Sequence, residues 1–127
     1  MTIGLGLLLV IWVAACDDAR TGIVGADDEE AISLVAEGFF ELYPEDVIGA
    51  AAACYFDSTA WASLISEDGS NYVNLKGYGI DNQKTVAMLQ FRVFRSPATF
   101  AMNAMELNGV AQPDSVVLDL VARMVAC

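Results

Sequence analysis

The spacing of apolar residues changes along the chain from a helical period to a strand period. In the stretch ADDEEAISLVAEGFFELYP, apolar residues recur three and four positions apart, which places them on one face of a helix. Asp27 or Asp28 can cap this helix, whose first turn is acidic, as the helix dipole favours. The buried face is expected to consist of Ile32, Val35, Phe39 and Leu42.

Two more helices are predicted before the strands begin. Pro44 ends the first helix and can open a second one, PEDVIGAAAACYF, because proline is tolerated in a first helical turn. The alanines of this second helix allow close packing against a neighbouring element. The next segment, DSTAWASLIS, is predicted to be a short helix capped by Asp57 or Ser58. The EDGS that follows it is a turn signal.

A strand period begins after this turn. In NYVNLKGYG, Val73 and Leu75 lie on one side of a predicted strand. The third strand, TFAMNAMELNG, changes its apolar side between Met102 and Met105, which indicates either a bulge or a weak strand assignment for this segment. The second strand, TVAMLQFRVF, is expected to present every second residue to the core, namely Ala87, Leu89, Phe91 and Val93.

The chain closes with a predicted helix, PDSVVLDLVARMVAC, capped by Asp114 or Ser115. The order of elements predicts an α+β fold in which a single layer of N-terminal helices and a C-terminal helix covers a three-stranded antiparallel meander. The length of 127 residues argues for one domain, expected at residues 27–127. The buried stripe of the last helix is expected to consist of Val117, Leu120, Val121 and Met124.

The first fifteen residues, MTIGLGLLLVIWVAA, are uncharged and mostly apolar. An apolar helix of this length measures about 20 Å, which is shorter than the hydrocarbon core of about 30 Å. The length, and the small residues directly before Cys16, are typical of a signal peptide. A buried N-terminal helix or strand is the alternative.

The tetrapeptide VAAC, residues 13–16, resembles the lipobox of bacterial lipoproteins. The resemblance implies that residues 1–15 are removed, that Cys16 carries lipid, and that residues 16–26 form a tether. Acyl chains such as palmitate, at about 0.8 kcal/mol per buried CH₂, would then anchor the protein on the periplasmic side of a membrane. Asp17 is similar to the retention signal of the enteric sorting system, which favours the inner membrane.

If Cys16 is lipidated, Cys54 and Cys127 remain. An even pair of cysteines in an exported domain predicts a disulfide. Closing so long a loop would stabilise the fold by about 4 kcal/mol in the chain-entropy description. Two buried, unpaired thiols are the alternative.

The charge is strongly negative and unevenly distributed. The chain has 17 acidic and 6 basic residues and a net charge of −11. Residues 1–75 hold thirteen acids and one base, whereas residues 76–127 hold four acids and five bases. Because such a surface repels phosphates, nucleic acid is not an expected partner.

No motif predicts catalysis, a metal site or a cofactor. The chain has no histidine, which removes the usual general base and the commonest metal ligand. The acidic run at residues 27–30 lacks the spacing of a calcium loop. A small hydrolase using paired carboxylates is the least favoured interpretation.

Two neighbouring predicted strands carry aromatic and polar residues on the side away from the core. Aromatic and arginine side chains are favoured at protein contacts, so we predict a contact surface for another envelope protein. A half-solvated sheet face carries the same residue types, which is the plainer interpretation. The predicted contact residues are Tyr72, Asn74, Lys76, Tyr78, Gln90 and Arg92.

The alternative function is a small-ligand-binding module in the periplasm. Its pocket would lie between the meander and the helices and would be apolar. The expected lining residues are Trp61, Phe91, Phe100 and Met102.

Overall fold

The computed structural model describes residues 28–80, 84–96 and 98–127, which form three helices and two antiparallel sheets. The predicted α+β class is correct, but the predicted count of three strands is wrong. The helices are α1 (Glu29–Ala36), α2 (Ile48–Tyr55) and α3 (Asp114–Ala126). The strands are β1 (Phe39–Phe40), β2 (Tyr43–Val47), β3 (Ser58–Ile65), β4 (Asn71–Tyr78), β5 (Val86–Arg95), β6 (Ala98–Leu107) and β7 (Val110–Ala111).

Several predictions about the N-terminus concern residues outside this described part of the chain. They are the signal peptide at residues 1–15, the lipidation of Cys16, the tether at residues 16–26 and the sorting role of Asp17. These remain predictions.

The main sheet is a meander of five antiparallel strands that follow one another in chain order, from β3 to β7. Strands β1 and β2 form a separate two-stranded ribbon. Phe91 of β5 pairs with Met102 of β6, whereas Gln90 pairs with Ala104, so Asn103 is an extra residue on β6. This register shift confirms the bulge predicted between Met102 and Met105.

The segment DSTAWASLIS is not a helix but strand β3. It pairs with β4 along its whole length, from Ser58 opposite Tyr78 to Ile65 opposite Asn71. Since a strand takes its hydrogen bonds from a partner distant in sequence, this pairing can override a weak helical pattern. Asp57 therefore caps no helix; its backbone N–H donates to the carbonyl of Tyr78 at 2.8 Å.

The first helix is shorter than predicted. Asp28 caps α1 by accepting a hydrogen bond from the backbone N–H of Ala31 at 3.1 Å, which agrees with one of the two predicted caps. The helix ends at Ala36, and the chain continues as the β1–β2 ribbon. Phe39 and Leu42 lie beyond this end and are 47% and 66% exposed, so their predicted burial is wrong.

The second helix begins at Ile48 rather than at Pro44. The residues between them belong to β2, which pairs with β1. Ile48 is fully buried, and its backbone N–H donates to the carbonyl of Gly38 at 2.9 Å. This hydrogen bond connects the start of α2 to the turn between α1 and β1. Proline is tolerated in an edge strand, where its missing N–H removes no hydrogen bond of the ladder. Pro44 is therefore compatible with β2 as well as with the first turn of a helix, and its presence alone did not determine where α2 begins.

The hairpin that connects β6 to β7 was not predicted from the sequence. Asn108 and Gly109 adopt positive φ angles of 50° and 82° and connect β6 to β7. Asn-Gly between two paired strands is the strongest short signal for such a two-residue turn. The predicted third strand had included these residues.

All three helices contribute to one core on a single face of the sheet. The core residues predicted on β5 are all buried, as are Val73 and Leu75 of β4. Three of the four residues predicted for the stripe of α3 are buried, and Val117 is half-buried. Pro113, not Asp114 or Ser115, occupies the N-cap position of α3 and makes no side-chain cap.

The ends of α2 and α3 meet at the two remaining cysteines. The Cα atoms of Cys54 and Cys127 are 6.0 Å apart, within the range that a disulfide spans. Their sulfur atoms lie at bonding distance, which is compatible with the predicted bridge. Both residues are exposed, so the alternative of two buried thiols is wrong.

Candidate interaction surface

The sheet has one face covered by helices and one that no described residue covers, which we call the open face. Strand alternation sends Val73, Leu75 and Gly77 to the core and their neighbours to the opposite side. The register then aligns Tyr72 with Arg92 and brings β4 and β5 side chains into rows. The open face holds all the predicted contact residues: Tyr72, Asn74, Lys76, Tyr78, Gln90 and Arg92.

A chain of amide side chains crosses the middle of the open face. The Nε2 of Gln90 donates to the Oδ1 of Asn74 at 3.1 Å. The Nδ2 of Asn103 donates to the Oε1 of Gln90 at 2.6 Å, so three strands are linked. Sequence reasoning missed Asn103, because its side of the sheet depends on the bulge.

Arg92 is held at one end of this row. Its guanidinium donates to the Oγ of Ser70 at 3.2 Å and lies 5.2 Å from the centre of the Phe94 ring. Phe94 is 42% exposed and follows Gln90 and Arg92 at strand spacing. Phe94 was not among the predicted contact residues, although the alternation along β5 places it on the same side as Gln90 and Arg92.

The turn beside Arg92 is ordered by a carboxylate. Asp68 accepts hydrogen bonds from the hydroxyl of Ser66 and, at 2.9 Å, from the backbone N–H of Ser70. These bonds stabilise the ionised form and lower the pKa of Asp68 to about 2. The β3–β4 turn, which supplies the Ser70 hydroxyl to Arg92, is thereby fixed.

Lys76 and Glu106 are the charged pair at the other end of the open face. Met88 lies between them in the register, opposite Lys76 on one strand and Glu106 on the other. Partial burial raises the pKa of Glu106, and the positive charge of Lys76 lowers it to a smaller extent. The open face thus combines a polar centre with aromatic and charged ends.

The pocket predicted for a small ligand corresponds in part to a groove on the other side of the sheet. This groove of about 1020 Å³ lies between α1 with β1 and the inner side of β5 and β6. Phe91, Phe100 and Met102 line it, as predicted. Trp61 does not; it lies on β3 opposite Leu75 and packs, half-buried, against the core.

In the described part of the chain, no cluster of three or more acidic or cysteine side chains is arranged to hold a metal ion. None of the helices described here is long and apolar enough to cross a membrane. The fold and surface define a small α+β domain with a meander whose outer side is open. Comparisons with protein-family models, curated proteins and solved structures find no match for this chain.

Proposed function

We propose that this chain is a lipid-anchored protein of the cell envelope that acts through protein contacts made by the open face. The observation that carries the proposal is the gathering of aromatic, arginine and amide side chains on a sheet face that no described element covers. Aromatic and arginine side chains provide large contact areas and directed hydrogen bonds at protein interfaces.

The arrangement of the open face supports binding in a second way. The hydrogen bonds between Asn74, Gln90 and Asn103 hold these side chains in place before any partner arrives. Arg92 is likewise held by Ser70 and stacked on Phe94. A surface ordered in advance loses less conformational entropy on binding.

Export is supported by the cysteines rather than by any site chemistry. The geometry of Cys54 and Cys127 is compatible with a bridge, and bridges persist in oxidising compartments outside the cytoplasm. Mass spectrometry of the unreduced mature chain is expected to show linked Cys54 and Cys127 peptides. Two alkylatable thiols would contradict this part of the proposal.

Lipidation of Cys16 is tested separately. Cells grown with labelled palmitate are expected to transfer the label to the chain, and a Cys16→Ser variant is expected to lose it. An unlabelled chain that still begins with the first methionine would remove the anchor from the proposal. That result would not bear on the proposed role of the open face, which has its own test.

The contact surface is tested by a double variant, Tyr78→Ala with Arg92→Ala, used as bait on envelope extract. We expect this variant to lose proteins that the unchanged chain retains, while its circular dichroism spectrum is preserved. The matched control is Leu118→Ala with Arg123→Ala, which alters two exposed side chains of α3. Capture of the same proteins by both double variants would contradict a role for the open face.

A small-ligand-binding function is the second candidate, and the groove at Phe91, Phe100 and Met102 favours it. Pockets for small molecules are concave, mostly apolar and largely formed before binding. A rise in the midpoint of thermal unfolding with one member of a metabolite or fatty-acid panel would support it. The absence of any shift across the panel would contradict it.

A further inference from the structure

The groove between α1 with β1 and the sheet is lined by several aromatic rings. Phe40 and Phe91 are buried, whereas Phe100 is half-buried and Phe39 is 47% exposed. The rings of Phe91 and Phe100 meet edge to face with their centroids 5.9 Å apart, so each ring has at most one face covered by the other. Because the face of an aromatic ring carries partial negative charge, it attracts cations. The groove therefore offers aromatic surface as well as apolar volume.

The ring of Phe100 has a fixed place in this groove. A methyl group at Gly38, in the turn after α1, would lie only 2.5 Å from the ring. Glycine at this position therefore allows the ring to lie directly against the backbone of the turn. A surface that is formed before a ligand arrives loses less conformational entropy on binding.

The rim of the groove is acidic. Glu30, Glu37 and Glu41 border it and are exposed. Arg95, the single cation among the described lining residues, already forms ion pairs with Asp28 and, at 3.9 Å, with Glu30. In the described part of the chain, no base lies within ion-pair distance of Glu37 or Glu41. Two carboxylates thus remain to attract a positively charged ligand and to repel an anion.

A quaternary ammonium group matches both the rings and the rim. An ammonium with N–H groups needs hydrogen-bond acceptors when it leaves water, and phenylalanine rings do not supply them. A quaternary ammonium has no N–H, and its charge attracts the faces of aromatic rings. A phosphate or carboxylate on the same ligand would be repelled by the rim. The matching ligand is therefore a net cation with an apolar substituent.

We propose that the groove binds small, free organic cations that combine a quaternary ammonium group with a short apolar chain. The ammonium group would contact the rings of Phe39 and Phe100. The carboxylates of Glu37 and Glu41 would balance its charge, and the chain would lie against Met102. This inference rests on the second candidate function, a ligand-binding groove, and names the chemical class of its ligand.

The probe is hexyltrimethylammonium, titrated into the protein by calorimetry at physiological salt. We expect saturable binding, and at least about tenfold weaker binding of hexanol, which has the same chain without the charge. Hexylphosphocholine carries the same ammonium group beside a phosphate and is also expected to bind at least about tenfold more weakly.

Each ligand can contradict the proposal in a different way. Equal binding of hexanol would overturn it but would leave a ligand-binding groove in place, because only the apolar chain would then be recognised. Equal binding of hexylphosphocholine would indicate a lipid headgroup and would overturn the assignment to a free cation. The absence of saturable binding by hexyltrimethylammonium would overturn the proposal whatever the metabolite panel shows.

The acidic rim is tested by Glu37→Gln with Glu41→Gln. We expect this variant to bind hexyltrimethylammonium at least about fivefold more weakly and to bind hexanol as before. The matched control, Glu45→Gln with Glu67→Gln, makes the same change in net charge at exposed positions outside the groove and is expected to stay within about twofold. Equal weakening by both pairs would mean that only the overall charge is sensed, and would overturn the proposal.

The aromatic surface is tested by Phe100→Leu, which keeps an apolar side chain but removes the ring. We expect it to weaken binding of hexyltrimethylammonium at least about fivefold more than binding of hexanol. A merely structural loss would weaken both ligands alike, and that result would overturn the proposal. If circular dichroism shows that this variant does not fold, Phe39→Leu makes the same change at an exposed position and is judged by the same ratio.

Discussion

The two faces of the main sheet are built from the same strands but serve different physical purposes. On β4 and β5 the inner side chains, such as Leu75 and Leu89, are fully buried beneath the helices. Their outward neighbours, such as Asn74 and Gln90, bond to one another at the surface. Burial of apolar area contributes about 25 cal/mol per Å², whereas an exposed polar network contributes little. We expect changes on the inner face to alter stability and changes on the open face to alter binding.

The largest difference between the faces is expected at two adjacent residues of β5. Phe91→Ala removes a buried ring that packs against Phe40 and Phe100, and is expected to lower the free energy of unfolding by about 3–5 kcal/mol. Arg92→Ala, one residue away on the open face, is expected to cost no more than about 1 kcal/mol. Urea unfolding followed by circular dichroism measures both. Equal losses would contradict the division between the faces.

The next effect is expected at Gly77, which faces the core of β4. A methyl group there would lie 2.4 Å from the buried ring of Phe56. Gly77→Ala is therefore expected to destabilise the protein by about 1–3 kcal/mol through overpacking. The neighbouring change Lys76→Ala, on the open face, is the control and is expected to stay within about 0.5 kcal/mol. An unchanged free energy of unfolding for Gly77→Ala would mean that the Phe56 ring shifts to make room without loss of stability, and would contradict the overpacking.

A smaller effect is expected on the helix side, at the cap of α1. Asp28 accepts a hydrogen bond from the side chain of Arg95, with which it also forms an ion pair, and another from the backbone N–H of Ala31. These contacts lower the pKa of Asp28 below the usual 3.8. Asp28→Ala is expected to cost about 1 kcal/mol at pH 7. Because the pKa is lowered in the folded state, this stability is present above about pH 3.8 and is lost as the pH falls through the folded pKa. Urea midpoints of both proteins at pH 7 and pH 3 measure it; a difference that does not shrink at pH 3 would contradict the assignment.

The smallest effect, of opposite sign, is expected on the open face at Glu106. Burial raises its pKa above the usual 4.5, so the ionised form is less favourable in the folded protein than in the unfolded chain. Protonation therefore stabilises the fold below about pH 4.5, and this contribution is lost as the pH rises through the folded pKa. Glu106→Gln is expected to raise stability by up to about 0.5 kcal/mol at pH 7 and not at pH 4.

The control for Glu106→Gln is Glu67→Gln, which makes the same charge change at an exposed position of the β3–β4 turn. Thermal unfolding at the two pH values compares the pair. A gain of equal size for both variants would show that relief of the overall negative charge, and not burial of Glu106, is responsible.

The sequence predicted correctly those elements whose side-chain pattern is regular over many residues. Val73 and Leu75 on β4, and the alternation along β5, gave both the core and the side on which Tyr72 and Arg92 lie. The change of side between Met102 and Met105 predicted the bulge. In each case one face is buried and one is open, so the pattern repeats every two residues.

The incorrect predictions fall where local preference and tertiary pairing disagree. Trp61 and its neighbours on β3 have no clear period of two, and only pairing with β4 determines that they form a strand. Phe39 and Leu42 continue a helical spacing, but the helix ends before them and they form or border a ribbon. The two-residue turn at Asn108 and Gly109 was readable from sequence and was overlooked.

The amino-acid sequence by itself determined the α+β class, the composition of the core face and the side of the sheet on which the outward residues of β4 and β5 lie, because burial imposes a period that can be read residue by residue. Only the tertiary structure decided which strands pair, where Asn103 points, and which side chains line the groove between α1 and the sheet. These features depend on hydrogen bonds and contacts between residues far apart in the chain, and no local pattern records them.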